Sequence, residues 1–186
     1  MSLVTFDSYA LETMFAHRLM EISAPKHITN RTISPRGATP LNDAVGRTIK
    51  AMEDALDGRK EEVLFSIMTD GLENASTAYS TREIKQSIEE KQGDGWVFTY
   101  LGANQDAWEV AQTMGIPQGN AASYSYSDSG VRNLRSARRG SMENFMRSSL
   151  ADESRSQMMT SFTTADGVLV GDDLDPGRDK ADEPLL

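Results

Sequence analysis

Two side chains in this sequence combine a reactive type with a revealing setting: Thr39 and Asp70. Thr39 lies in Gly37-Ala38-Thr39-Pro40-Leu41, a turn that brings a hydroxyl to the mouth of a predicted helix. Asp70 lies in Val63-Leu64-Phe65-Ser66-Ile67-Met68-Thr69-Asp70-Gly71-Leu72-Glu73-Asn74, an apolar run that ends in Thr-Asp-Gly. That pattern predicts a buried strand with a carboxylate at its exit. A hydroxyl and a carboxylate are hard oxygen donors, the kind that Mg²⁺ takes in its octahedron beside several waters. Each also has a plainer role. Thr39 suits the N-cap of the helix that follows, and Asp70 suits a turn. Glu73 and Asn74 are expected to shape their loop rather than bind metal. His17 and His27 stand alone, without a partnering constellation.

The elements that must position these residues are written along the chain. Leu3–Phe6 is a short apolar strand turned by Asp7-Ser8, and Leu11–His17 could pair back on it as a hairpin. Glu21–Ser34 is a loop. Thr39 caps a helix with Pro40 at its first position. Leu41, Ala44, Val45, Ile49, Met52 and Leu56 then recur at helical spacing, and Gly58 ends the helix. After the Val63–Met68 strand, Ser80-Thr81-Arg82-Glu83 is a capping box that opens a helix to about Lys91, with Ile84 and Ile88 inward. Trp96–Leu101 is the next strand. Gln105–Met114 is a helix stopped by Gly115 and Pro117. Ala121–Tyr126 reads as a last strand and Asp128–Leu150 as a last helix. Strands alternating with helices predict an α/β fold, a doubly wound, mostly parallel sheet with helices on both faces.

Composition narrows the classes. A chain of 186 residues fits one domain plus a tail, with a 38% apolar and 25% charged content ordinary for a soluble protein. No run approaches the roughly 18 apolar residues of a membrane span. The N-terminus lacks a basic region followed by an apolar core, so no signal peptide is expected and the expected compartment is cytoplasmic. Cysteine is absent, which removes disulfides and thiolate metal sites. The net charge of -9 is uneven: residues from Ala151 onward carry nine acidic and three basic side chains, a net of -6, leaving -3 for residues 1–150. Residues 151–186 therefore read as an acidic, largely disordered tail. Arg132, Arg135, Arg138, Arg139 and Arg147 precede it. They read as a solvated helix face rather than a nucleic-acid or acidic-partner patch, and the lack of interleaved aromatics argues against single-strand binding.

The Gly37–Leu41 turn and the Thr69-Asp70-Gly71 strand exit, in this order and spacing, resemble two of the three loops of the metal-ion-dependent adhesion site of von Willebrand factor A (VWA) domains. Val4-Thr5-Phe6-Asp7 looks like the second strand of that family. Trp96–Leu101 followed by Gly102-Ala103-Asn104-Gln105-Asp106-Ala107 resembles bacterial and phage-encoded members. The resemblance covers residues 1–150. It implies a VWA/Rossmann-like sheet with Mg²⁺ or a similar ion at the carboxyl ends of its central strands, where open α/β sheets place ligands. It also implies Thr39 and Asp70 as metal-site residues, with an open coordination position for a carboxylate of a partner protein.

The family's first central strand, with its Asp-x-Ser-x-Ser motif, and the helix after it are missing from the start of this chain. The expected sheet would thus have a gap between the Leu3–Phe6 and Val63–Met68 strands. The missing strand could come from another chain or from an upstream gene segment. The flanking strands could instead pair directly. Or the tail could fill the slot, where Asp152-Glu153-Ser154-Arg155-Ser156 matches the motif literally and Val168-Leu169-Val170 is strand-like. The expected function is a protein-protein interaction module with a partial, weakly metal-binding site, in an oligomer or complex and without a membrane. The alternative is a metal-free structural or assembly protein, phage-associated in type. A phosphoryl-transfer enzyme is a third class, disfavoured because no nucleophile–base pair or phosphate-cradling loop accompanies Asp70. No catalysis is expected.

Overall fold

Helical and strand periodicities alternate along the chain, and the computed structural model turns them into a mixed α/β arrangement. It describes residues 1–9, 15–21, 37–103 and 106–125, together with 127, 130, 132, 134, 139 and 145. Among them the order is β1 (Leu3–Val4), β2 (Phe15–His17), α1 (Leu41–Leu56), β3 (Leu64–Thr69), α2 (Thr81–Gly93), β4 (Val97–Ala103), α3 (Ala107–Thr113), a 3₁₀ turn (Gln118–Asn120) and β5 (Ala121–Tyr124). The chain divides into two compact units, Met1–Val63 with Gly71–Trp96 and Leu64–Asp70 with Val97–Leu186.

In the first unit, β1 and β2 form an antiparallel hairpin that pairs Leu3 with His17 and Val4 with Phe15. The expected hairpin is therefore present. However, β1 does not join the parallel sheet as the family resemblance would require; it sits in a separate two-stranded sheet. The cause is local. Asp7 Oδ1 accepts the Tyr9 amide at 2.7 Å and begins the turn. The nearest strand in sequence then closes the shortest loop, at the smallest entropic cost.

Helix α1 buries Leu41, Ala44, Val45 and Ile49 along one stripe, as their spacing predicts. It packs with α2, whose Ser80/Glu83 capping box is complete and whose Ile84 and Ile88 are fully buried. Lys91 joins the two helices. Its Nζ lies 2.7 Å from Glu53 and 2.8 Å from Asp94, and 5.9 Å from the centre of the Trp96 ring. Hydrogen bonds to Asp94 and Glu53 hold this ammonium well above the usual lysine range.

The second unit is built on a three-stranded sheet, ordered β3-β4-β5 with both pairs parallel. Central β4 is buried almost throughout, with Phe98, Thr99 and Tyr100 at 0% exposure, as a parallel strand covered on both faces must be. Phe65 stacks on Phe98 at 5.2 Å, and Thr99 Oγ1 donates to Ser66 Oγ at 3.0 Å. Helix α3 packs on β4 and β5. Leu101, Ala103, Ala122, Tyr124 and Leu134 form a core cluster, with Leu64, Val97 and Phe145 beside it.

Strand β3 departs from expectation. It was expected to be buried, but only Ile67 and Thr69 are; Ser66 and Met68 are exposed. Among the described strands it is also an edge of its sheet. Its alternation has period 2, so one face meets the core and the other does not.

Within 128–150 the described positions 130, 132, 134, 139 and 145 are helical, and Arg132 and Arg139 are exposed. Arg135, Arg138, Arg147, His27, Asp152–Ser156, Val168–Val170 and the whole of 151–186 lie outside the described residues. No helix among the described residues is long and apolar enough to cross a membrane.

Candidate functional site

Gly37 begins the first loop at φ +74°, a conformation that L side chains rarely adopt. A side chain there would also run into Ser8 and Tyr9, and Ser8 Oγ accepts the neighbouring Ala38 amide at 3.0 Å. The motif glycine is thus required by the hairpin turn that packs against it.

Helix α1 then starts one residue later than expected. Pro40 occupies the N-cap position at φ -80°, ψ 65° and supplies no side-chain cap, so Thr39 is not the helix N-cap. The orphan amides of the first turn find acceptors some thirty residues along the chain. Asn42 N donates to Glu73 Oε2 at 2.7 Å, and Asp43 N donates to Ser76 Oγ at 3.0 Å. A carboxylate at this end of a helix also faces the positive pole of its dipole.

Glu73 does more than cap. Its Oε1 accepts the Ala75 and Ser76 amides, both at 2.8 Å, and its Oε2 accepts the Ser76 hydroxyl at 2.6 Å. Burial disfavours its charge, but the Ser76 hydroxyl and the three amides outweigh that cost and lower its pKa. Glu73 and Asn74 shape the loop, as the sequence suggested.

Asp43 is the residue that sequence reasoning missed. It is 1% exposed, and its carboxylate accepts the amides of Thr77 at 3.0 Å and of Ala78 and Tyr79 at 2.9 Å. Burial opposes its ionisation; the three amides and the nearby Arg47 charge overcome it and lower its pKa. The sequence signal is slight: Asp43 is the one acid in the first turn of α1, off the apolar stripe of Leu41, Ala44, Val45 and Ile49. An acid is rarely buried unless paired, and the partners of Asp43 come from a distant loop. The chain then returns to Gly46, where an added Cβ would lie 2.8 Å from the Tyr79 ring.

Thr39 sits against the second loop. Its amide donates to Asn74 Oδ1 at 2.8 Å, and its carbonyl accepts the Asn74 amide at 3.1 Å. A Cβ on Gly71 would come within 2.6 Å of Thr39 Oγ1. The two motif loops therefore meet at Thr39, Gly71 and Asn74. Thr39 is half-buried and belongs to the first unit; Asp70 is exposed, directly follows β3 and belongs to the second.

Among the described residues no group of three or more His, Cys, Asp or Glu is placed to hold a metal ion. Glu73 and Asp43 are committed to backbone amides. No protein-family model matches the chain, and neither a curated protein nor a solved structure matches it.

Proposed function

We propose that this chain is a VWA-type interaction module, which binds a partner protein through a partial metal-ion-dependent adhesion site and carries out no catalysis. One observation carries this reading: the meeting of the two motif loops, with Thr39 exchanging two hydrogen bonds with Asn74 and packing on Gly71. Two segments more than thirty residues apart are thereby held together, and they are the segments that resemble the family's loops.

In this reading Thr39 and Asp70 are the ligands that the family resemblance implies for Mg²⁺, and water would fill most of its octahedron. The hard oxygen donors fit the ion in type, but two of them bind it weakly. A carboxylate from the partner would complete the site and make the metal a bridge. The same reading takes the sheet as doubly wound and lacking its first central strand. The edge position of β3 among the described strands supports a partner chain, or a second copy, supplying a strand there. The test is metal-dependent capture of a partner by the full chain. Capture that persists in EDTA and in Asp70→Ala would refute the metal-bridged form.

A second reading is favoured by a different observation. The loop from Glu73 to Tyr79 is organised by two carboxylates of the chain itself, through Glu73 and Asp43. Such a loop needs no ion to hold its shape, which suits a metal-free structural or assembly protein. Calorimetry with Mg²⁺ and Mn²⁺ separates the two.

A further inference from the structure

Four Asp–Gly pairs occur in the sequence: Asp57-Gly58, Asp70-Gly71, Asp94-Gly95 and Asp166-Gly167. The first three lie in described residues. Asp–Gly is the dipeptide most open to one spontaneous reaction, because glycine puts no side chain in the way of the attacking amide. The glycine nitrogen attacks the aspartate Cγ, the protonated carboxyl loses its oxygen as water, and a five-membered succinimide forms. Water then opens the ring. Addition at Cγ restores aspartate; addition at the backbone carbonyl leaves the chain running through the side chain, as isoaspartate. No oxidant or co-reactant is consumed, and the final mass is unchanged. Three features of a fold suppress the reaction: an amide held in a hydrogen bond, a carboxylate held ionised, and a backbone that cannot move.

At Asp94-Gly95 the first two features are present. The Gly95 amide donates to Gln92 O at 3.0 Å, and the Asp94 carboxylate is ion-paired with Lys91 at 2.8 Å. The hydrogen bond and charge of Lys91 also keep Asp94 below the usual carboxylate range, which depletes the protonated form that must react. At Asp70-Gly71 the glycine is closely packed, since a Cβ there would meet Thr39 Oγ1.

Asp57-Gly58 lacks the first of these protections. Both residues are exposed in the turn that ends α1, at φ 48° and 75°. The hydrogen bonds described for this turn run from Asp57 N to Glu53 O and from Arg59 N to Leu56 O, and none of them uses the Gly58 amide. Space is open around Gly58, with no atom within 4 Å of where a Cβ would stand.

We propose that Asp57 is a site of spontaneous isoaspartate formation in the folded protein, and that it converts ahead of Asp70 and Asp94. The conversion adds a methylene to the main chain at the C-terminus of α1, beside the carbonyls of Ala55 and Leu56 that the Arg59 guanidinium caps. This rests on the turn geometry alone and is independent of the proposed binding function.

The test is incubation of the full chain at body temperature and neutral pH, followed by peptide mapping with electron-transfer fragmentation. A second aliquot is incubated in urea. Methyl transfer by an isoaspartate methyltransferase, with labelled S-adenosylmethionine, gives an independent count. The expected result is a several-fold excess of isoaspartate at Asp57 over Asp70 and Asp94 in the folded protein, with the three rates converging in urea. Asp57→Glu, which would have to close a slower six-membered ring, should lower methyl acceptance by the Asp57 share. Equal or faster conversion at Asp94 or Asp70 in the folded protein would overturn the proposal. So would an absence of isoaspartate at Asp57 when the urea sample forms it, or a methyl count unchanged in Asp57→Glu.

Discussion

The amides of Thr39 and Asn74 each donate to the other residue, Thr39 to the Asn74 side-chain oxygen at 2.8 Å and Asn74 to the Thr39 carbonyl at 3.1 Å. This reciprocal pair ties the Gly37–Leu41 loop to the loop after Gly71. Asn74→Ala removes one acceptor and should cost about 1 kcal/mol, the net worth of an ordinary intramolecular hydrogen bond. The urea midpoint measures it. Amide exchange at Thr39 should accelerate in the same variant, and unchanged exchange would mean that the pair does not hold the loop.

Metal affinity follows from donor count. With Thr39 and Asp70 as its only protein oxygens, Mg²⁺ or Mn²⁺ should bind the isolated chain no more tightly than about 1 mM, near -4 kcal/mol. Calorimetry decides. Micromolar binding that disappears in Asp70→Ala would reveal further ligands.

Asp43 and Glu73 make stability depend on acid. Both have pKa values lowered in the folded state, so each favours folding above its unfolded pKa of about 3.9 or 4.3. That contribution is lost as pH falls through the lower folded values. Denaturation midpoints should be level near neutrality and fall steeply below about pH 4. Asp43→Ala strands three loop amides and should cost about 2–3 kcal/mol at neutral pH. It should also flatten the acid slope; a slope identical to wild type would remove Asp43 from this account.

Gly46 and Tyr79 predict a sign reversal. Alanine at a helix interior gains about 0.5–1 kcal/mol over glycine. Here the new methyl would press on the Tyr79 ring at 2.8 Å, and overpacking costs about 1–3 kcal/mol. Gly46→Ala should therefore destabilise the wild type and stabilise Tyr79→Ala. A double-mutant cycle reads the coupling directly; additive changes would show that the ring moves aside freely.

Strand β3, an edge among the described strands, carries Leu64-Phe65-Ser66-Ile67-Met68-Thr69, without a charge or a proline to discourage pairing. The isolated protein is expected to self-associate or to need a partner for solubility. Sedimentation velocity across a concentration series checks this, and a stable monomer at high concentration contradicts it.

Local signals determined much of this protein. The stripe from Leu41 to Leu56, the Ser80–Glu83 capping box and the apolar runs Val63–Met68 and Trp96–Leu101 located α1, α2, β3 and β4 to within two residues. Periodicity and capping act over one or two turns of chain, so they are legible without a fold. The hairpin of β1 and β2 was legible for the same reason. Long-range choices were not. That Glu73 and Ser76, rather than Thr39, satisfy the first amides of α1 is decided by a loop arriving from more than thirty residues away. The burial of Asp43 has the same origin. A buried carboxylate looks like an error until the amides of Thr77, Ala78 and Tyr79 are brought to it, and only tertiary structure supplies those donors.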